Sequence, residues 1–230
     1  MLNRPTRSAD ARVMVPALLV ALAGSSLALP LPPPLFPAVF ELSALDGDNG
    51  FVINGIDMDD WSGHSVSSAG DVNGDGLGDL IIGAYRADPY GQSAAGESYV
   101  VFGTATGFAA SLNLSTLDGT NGFVINGFAA NDWSGHSVSC AGDVNGDGIG
   151  DLIIGARYAD TSGGSNAGAS FVVFGKNTGF AASLDLSTLS GTNGFVITGI
   201  NADDWSGQSV SSAIEIAGGR ENEYISVVSE

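Results

Sequence analysis

The sequence predicts an all-β fold, an incomplete β-propeller of about two four-stranded blades plus flanking strands. Three observations predict it. From Phe40 onward the chain repeats itself, with Phe40, Leu112 and Leu184 opening corresponding units 72 residues apart, and a fixed period has to be read before any single residue. Each complete unit holds four short strand-like runs, at 51–54, 64–69, 80–84 and 97–102 in the first. Gly, Asp, Asn and Ser separate them, and no stretch shows a helical period of useful length. Four strands per repeat is the content of one propeller blade. A β-sandwich or a β-solenoid is the alternative, but a sandwich gives no reason for the period and a solenoid usually has a shorter one.

Residues 1–28 read as an export signal. Arg4, Arg7 and Arg12 make a basic start, residues 13–23 are apolar apart from Pro16, and Ala21-Leu22-Ala23 and Ser26-Leu27-Ala28 offer small-residue cleavage sites. A spanning helix wants about 20 apolar residues, and Gly24-Ser25-Ser26 interrupts this one. Cleavage is therefore expected, with no membrane span left after it. Residues 29–39, five of them proline, form a semi-rigid linker. The repeats then run 40–111 and 112–183, with a partial third at 184–213 and a divergent tail at 214–230.

Charge points the same way. The chain carries 25 Asp and Glu against 7 Lys and Arg, for a net charge of −18. Nucleic-acid binding needs the opposite sign, and so acidic a body repels itself unless cations relieve it. Cys140 is the sole cysteine, so no intrachain disulfide forms; it stands where Ser68 and Ser212 stand in the other units and reads as a small strand residue.

Between the second and third strands of each full unit lies an Asp-rich loop. The first is Asp71-Val72-Asn73-Gly74-Asp75-Gly76-Leu77-Gly78-Asp79, and the second is Asp143-Val144-Asn145-Gly146-Asp147-Gly148-Ile149-Gly150-Asp151. Side-chain oxygens at Asp71, Asn73, Asp75 and Asp79, and at Asp143, Asn145, Asp147 and Asp151, can turn inward together in a curled loop. The backbone carbonyls of Leu77 and Ile149 complete an oxygen set of the kind calcium takes. Gly76 and Gly148 allow a conformation that a side chain resists. The expectation is about two calcium ions. An EF-hand is excluded, since position 12 is Ile82 or Ile154 and an apolar strand follows where a helix would. Acidic turns without metal are the bland reading of such residues, and the duplication weighs against it.

Other repeated residues read as structural. His64, His136 and Gln208 share one repeat position, which does not suit a catalytic or metal-binding histidine. Trp61, Trp133 and Trp205 recur as packing between neighbouring sheets, and Asp60, Asp132 and Asp204 as residues bonding the backbone of their turns. No catalytic constellation stands out: a strand-to-helix Gly-x-Ser-x-Gly elbow is missing, and the chain is expected not to be an enzyme.

Gly63-x-Ser65-Val66, the loop at 71–79, Leu80-Ile81-Ile82-Gly83-Ala84 and Tyr99-Val100-Val101-Phe102-Gly103 together resemble an FG-GAP repeat. The resemblance covers about residues 40–213. It implies the propeller architecture of integrin α chains and of many bacterial surface proteins. Ser62 or Ser134 replaces the name-giving Phe, and Tyr85 or Arg157 replaces the Pro of Gly-Ala-Pro; neither departure touches the metal ligands. The resemblance also implies that the glycine- and serine-rich strand is innermost and that Phe-Val-Ile is the outer strand of the preceding blade. It implies a secreted or cell-surface, calcium-binding module for recognition or adhesion of a protein or glycan partner. The alternative is the non-catalytic propeller portion of a larger exported enzyme, as in phospholipases with such repeats. Likeness ends abruptly after Ala213, where Ile214-Glu215-Ile216 replaces the start of a third loop. Two blades leave sheet faces and edges open, so the expectation is an open arc that is either marginally stable or associated with other copies, with a short tail strand at Tyr224–Val228.

Overall fold

The computed structural model describes residues 39, 41–213 and 224–228. The expected signal, nearly all of the linker and residues 214–223 lie outside the described residues. The described chain is all-β. Its strands are β1 (Val52–Asn54), β2 (Ser65–Gly70), β3 (Asp79–Ala84), β4 (Glu97–Val101), β5 (Ser111–Asn113), β6 (Gly122–Asn126) and β7 (Ser134–Gly142). They continue as β8 (Asp151–Ala156), β9 (Ala169–Val173), β10 (Ser183–Asp185), β11 (Gly194–Thr198), β12 (Ser209–Ala213) and β13 (Tyr224–Val228).

Two larger sheets are the blades. The first has the order β10-β6-β4-β3-β2 and the second β11-β9-β8-β7, while β1-β5 and β12-β13 are two-stranded flanks. Among the described residues no sheet closes on itself, and they form part of a propeller. Each blade takes its outer strand, β6 or β11, from the following repeat, as the resemblance implies. The tail strand β13 pairs antiparallel with β12.

Alternation along the strands builds the core. Ile81 and Val100 point into the gap between the blades, where they join Leu152, Ile154, Phe171 and Val173 of the second blade. Their neighbours Ile82, Tyr99 and Val101 face the other way, onto Ile53 and Leu112 of the first flank. Ile153 and Val172 face Val210 of β12. A strand buried on both faces reads as a continuous apolar run, which is why Leu80-Ile81-Ile82 and Leu152-Ile153-Ile154 carry no polar alternation.

The inner strands approach each other through small residues. A side-chain carbon built at Gly83 would lie 2.0 Å from the Gly135 carbonyl, and one at Gly155 would lie 2.1 Å from the Gly207 carbonyl. Serines bridge the same seam. The Val138 N–H donates to Ser65 Oγ at 3.0 Å, and the Ser137 hydroxyl donates to the Gly207 carbonyl at 2.9 Å.

The outer edges hold elements that strand-length reasoning overlooked. The three-residue strands β5 and β10 pair parallel with β1 and β6. Beside each pair, Phe51 stacks on Phe108 at 4.1 Å and Phe123 on Phe180 at 4.2 Å. Substituting Gly155→Ala forces backbone at the inner seam apart, and overpacking of this kind costs about 1–3 kcal/mol. Urea unfolding of the variant should show a loss in that range; an unchanged midpoint would contradict the close seam.

Candidate metal loops and an aromatic ladder

The two Asp-rich loops lie at one end of the blades, where β2 turns into β3 and β7 into β8. In the first loop the polar side chains wind the chain around themselves. Asp71 accepts the N–H of Asp75 at 3.0 Å and of Gly76 at 2.8 Å. Asn73 Oδ1 accepts the Asp75 N–H at 2.9 Å, and Asp75 Oδ1 the Leu77 N–H at 2.8 Å. The second loop repeats this through Asp143, Asn145 and Asp147, with the Ile149 N–H donating to Asp147. Gly76 and Gly148 take φ of 84° and 85°, the left-handed region expected of them.

Asp79 and Asp151 do something further. Both are buried, at 2% and 0% exposed. Asp79 Oδ2 accepts the Val72 N–H at 2.9 Å and Oδ1 the Gly103 N–H at 2.8 Å. Asp151 binds Val144 at 2.8 Å and Gly175 at 2.9 Å in the same way. One carboxylate thus ties the start of its loop to the turn that follows the blade's third strand. Burial pushes the Asp79 carboxyl above the usual carboxylate range, with the charges of Asp75 and Asp71 adding to it against the two amide donors. Burial pushes Asp151 up to about 6, again against its amide donors.

The loops are also joined to each other. The Gly150 N–H donates to the Asp71 carbonyl at 3.0 Å, and the Lys176 N–H to the Val72 carbonyl at 2.9 Å. Of the residues nominated from sequence, the fold gathers Asp71, Asn73 and Asp75, and likewise Asp143, Asn145 and Asp147, around shared amides. Asp79 and Asp151 point to the blade base, and the Leu77 and Ile149 N–H groups bond into the loop. Among the described residues no group of three or more His, Cys, Asp or Glu is arranged so that it could hold a metal ion. The donor chemistry nevertheless suits a hard cation: every donor is oxygen, and an oxygen that accepts one amide retains acceptor capacity.

At the opposite end of the blades the aromatic residues form a ladder. Trp61, Trp133 and Trp205 enter just before the inner strands, and Tyr85-Arg86 and Arg157-Tyr158 leave β3 and β8. The Tyr85 ring lies 5.7 Å from Trp61 and 4.8 Å from Trp133, and Tyr158 lies 4.7 Å from Trp133 and 6.0 Å from Trp205. Arg86 sits 5.0 Å from the Trp61 ring and 5.7 Å from Trp133, while Arg157 sits 4.5 Å from Tyr158 and 4.9 Å from Trp205. These are cation–π distances. The Trp residues pack as expected, but the arginines between them were not foreseen. All three Trp residues have positive φ, between 52° and 58°. That is uncommon for a bulky residue, and it recurs together with positive φ at Asp59, Asn131 and Asp203 two residues earlier in the same turn.

The recurring aspartates divide. Asp204 accepts the Asn201 N–H at 2.8 Å and Asp60 a backbone bond from Asp57, as expected, whereas the Asp132 carboxylate accepts none among the described residues. His64 and His136 lie 5.1 Å apart at the foot of the ladder. Cys140 Sγ accepts the Gly142 N–H, as Ser68 Oγ accepts that of Gly70.

These features define a class: an all-β protein of blade-like sheets, each with an Asp-rich turn after its inner strand. Residues 62–101 and 135–173 match the FG-GAP repeat family model, one match across the first three strands of each blade. These two segments are FG-GAP repeats. The chain is 34% identical over 115 residues to integrin alpha-PS2 of Drosophila melanogaster, covering 48% of this chain and 8% of that protein. It is 32% identical over 128 residues to phosphatidylinositol-glycan-specific phospholipase D of Bos taurus, covering 56% of this chain and 15% of that protein. It is also 32% identical over 158 residues to integrin alpha pat-2 of Caenorhabditis elegans, covering 64% and 12%. The chain therefore spans a small part of the length of these relatives.

Burial, then the Arg157 charge and then His64, hold His136 down to about 4, against a backbone bond to Gln208. The unfolded chain takes up that proton near the ordinary histidine value of about 6.5, so this residue destabilises the fold as pH falls from there toward 4. NMR titration should show the His136 ring still neutral at pH 5, and His136→Gln should lessen the loss of stability between pH 6.5 and 4. A His136 that titrates at its ordinary value would contradict the burial.

Proposed function

We propose that the chain is an exported recognition or adhesion module whose two Asp-rich loops bind about two structural calcium ions. The observation that carries this is the pair of matched oxygen-lined loops, linked through the Asp71 carbonyl and the Gly150 N–H. Asp71, Asn73, Asp75 and Asp79, with the Leu77 carbonyl, would hold one ion. Asp143, Asn145, Asp147 and Asp151, with the Ile149 carbonyl, would hold the other. Positive charge there relieves part of the repulsion within a chain of net charge −18.

Recognition is assigned to the opposite end of the blades. Trp61 is 51% exposed, and Arg86 and Trp133 border a depression of about 360 Å³ with Asp59 and Asn131. Exposed aromatic and arginine side chains suit a protein or glycan partner. The export reading rests on residues 1–28 and on the likeness to integrin alpha chains. No helix among the described residues is long and apolar enough to cross a membrane.

The similarity to phosphatidylinositol-glycan-specific phospholipase D supports a second reading, the propeller portion of a larger exported enzyme. A catalytic domain encoded beyond the codon for Glu230 would favour it. In both readings the repeats themselves carry no catalysis.

Calorimetry of the full chain should show about two calcium ions bound, in the range of about 0.1–1 mM typical of extracellular modules. Asp71→Ala with Asp143→Ala should abolish the heat. No heat in the parent, or the same heat in the double variant, would refute calcium binding.

A further inference from the structure

A cleft of about 440 Å³ opens between the two blades on their outer side, away from the loops and toward the end that carries the ladder, where Asp132 and Asp160 flank Trp133 and Tyr158 in sequence. Its volume falls in the range of small-molecule sites, which are mostly apolar with a few placed polar groups. One wall is the face of the second blade, with Phe171 of β9 and Val196 of β11. The other is Leu186, from the turn after β10, and Phe128, which meets the edge of Phe171 at 6.1 Å between ring centres. Asp132 and Asp160 supply the polar end.

The repeat explains why the cleft exists. Each wall residue has a counterpart 72 residues earlier, in the gap between the first flank and the first blade. There Glu97 and Tyr99 hydrogen-bond to each other inside the packed face. Tyr90 reaches across the edge, its hydroxyl donating to Asp185 at 2.7 Å and accepting from Asn126 at 2.9 Å. In the second repeat the counterparts are Ala169, Phe171 and Ser162. Each change removes volume or a hydroxyl, and together they take away a carboxylate and a phenol ring. Asp60 and Asp88 persist as Asp132 and Asp160, so the second gap loses the part-buried Glu97 side chain and the exposed Tyr90 ring at its edge while keeping both acids.

Those acids are poorly served by the protein. Asp160 accepts one bond, from the Asn166 N–H at 2.8 Å, and Asp132 accepts none among the described residues. Burial and then the Asp160 charge push the Asp132 carboxyl up to about 6. An anion is repelled here, a neutral hydroxyl satisfies one acceptor, and an ammonium serves both carboxylates with three donors.

We propose that this cleft binds a small organic amine, its apolar body against Phe128, Phe171, Leu186 and Val196 and its ammonium between Asp132 and Asp160. The test is calorimetry of the full chain, at fixed calcium, with phenethylamine, 2-phenylethanol and 3-phenylpropionate as probes. Phenethylamine should bind saturably and at least about tenfold more tightly than the alcohol, a preference that charge pairing readily supplies, and the phenylpropionate should bind weakest. Asp132→Asn should bring amine and alcohol to similar affinity. Restoring the first repeat's residues, Ser162→Tyr with Ala169→Glu and Phe171→Tyr, should close the cleft and remove amine binding. If that variant does not fold, the Asp132→Asn comparison decides. Absence of saturable amine binding, equal binding of amine and alcohol by the parent, or an unchanged preference in Asp132→Asn would overturn the proposal.

Discussion

The buried carboxylate at the ninth loop position is the interaction on which the rest depends. Asp79 and Asp151 each hold two backbone N–H groups, one in the loop and one in the turn after the blade's third strand. Removing either would leave two inward-facing amides unpaired, at about 1–3 kcal/mol each. The consequence reaches past one blade. Lys176 follows Gly175, which is held by Asp151, and its own N–H bonds Val72, which is held by Asp79. The two blades are thereby joined at the loop end by a chain of backbone bonds running from one buried acid to the other.

The opposite end is joined differently. Trp, Tyr and Arg side chains from successive repeats interleave there, and the turn that delivers each Trp carries two positive-φ residues. Between the two ends, glycine and serine let the inner strands approach. A blade is thus fixed to its neighbour by hydrogen bonds at one end, backbone contact along the seam and edge-on or tilted ring contacts at the other. The outer part of the gap is where repeats can differ without loss of the fold, and there the second repeat has exchanged Glu97 and Tyr90 for Ala169 and Ser162.

Much of this was legible in the sequence. The 72-residue period and the apolar runs located the blade strands to within about a residue, because strands buried on both faces leave an unbroken signal; the shift from 64–69 to Ser65–Gly70 is ordinary end uncertainty. The borrowed outer strands followed from the family resemblance. Strands β5 and β10 were not legible, since three residues carry no usable alternation and their partners lie 59 residues away. Yet the recurrence of Ser111-Leu112-Asn113-Leu114 as Ser183-Leu184-Asp185-Leu186 was there to be read. Asp79 and Asp151 were found as candidate ligands, but their anchoring role was hidden by partners 7 and 24 residues away. The ladder escaped notice because Tyr85-Arg86 reappears in reversed order as Arg157-Tyr158. The cleft is written in the differences between repeats, which an argument built on their similarity passes over.

The central claim is that the buried acids couple one blade's loop to the next. Residue-resolved hydrogen exchange on Asp151→Ala tests it most directly. The account predicts that protection falls at the Val144 and Gly175 amides, which lose their acceptor, and falls with them at Gly150 and Lys176, which bond to the first loop. Loss confined to Val144 and Gly175, with Gly150 and Lys176 as protected as in the parent, would contradict it.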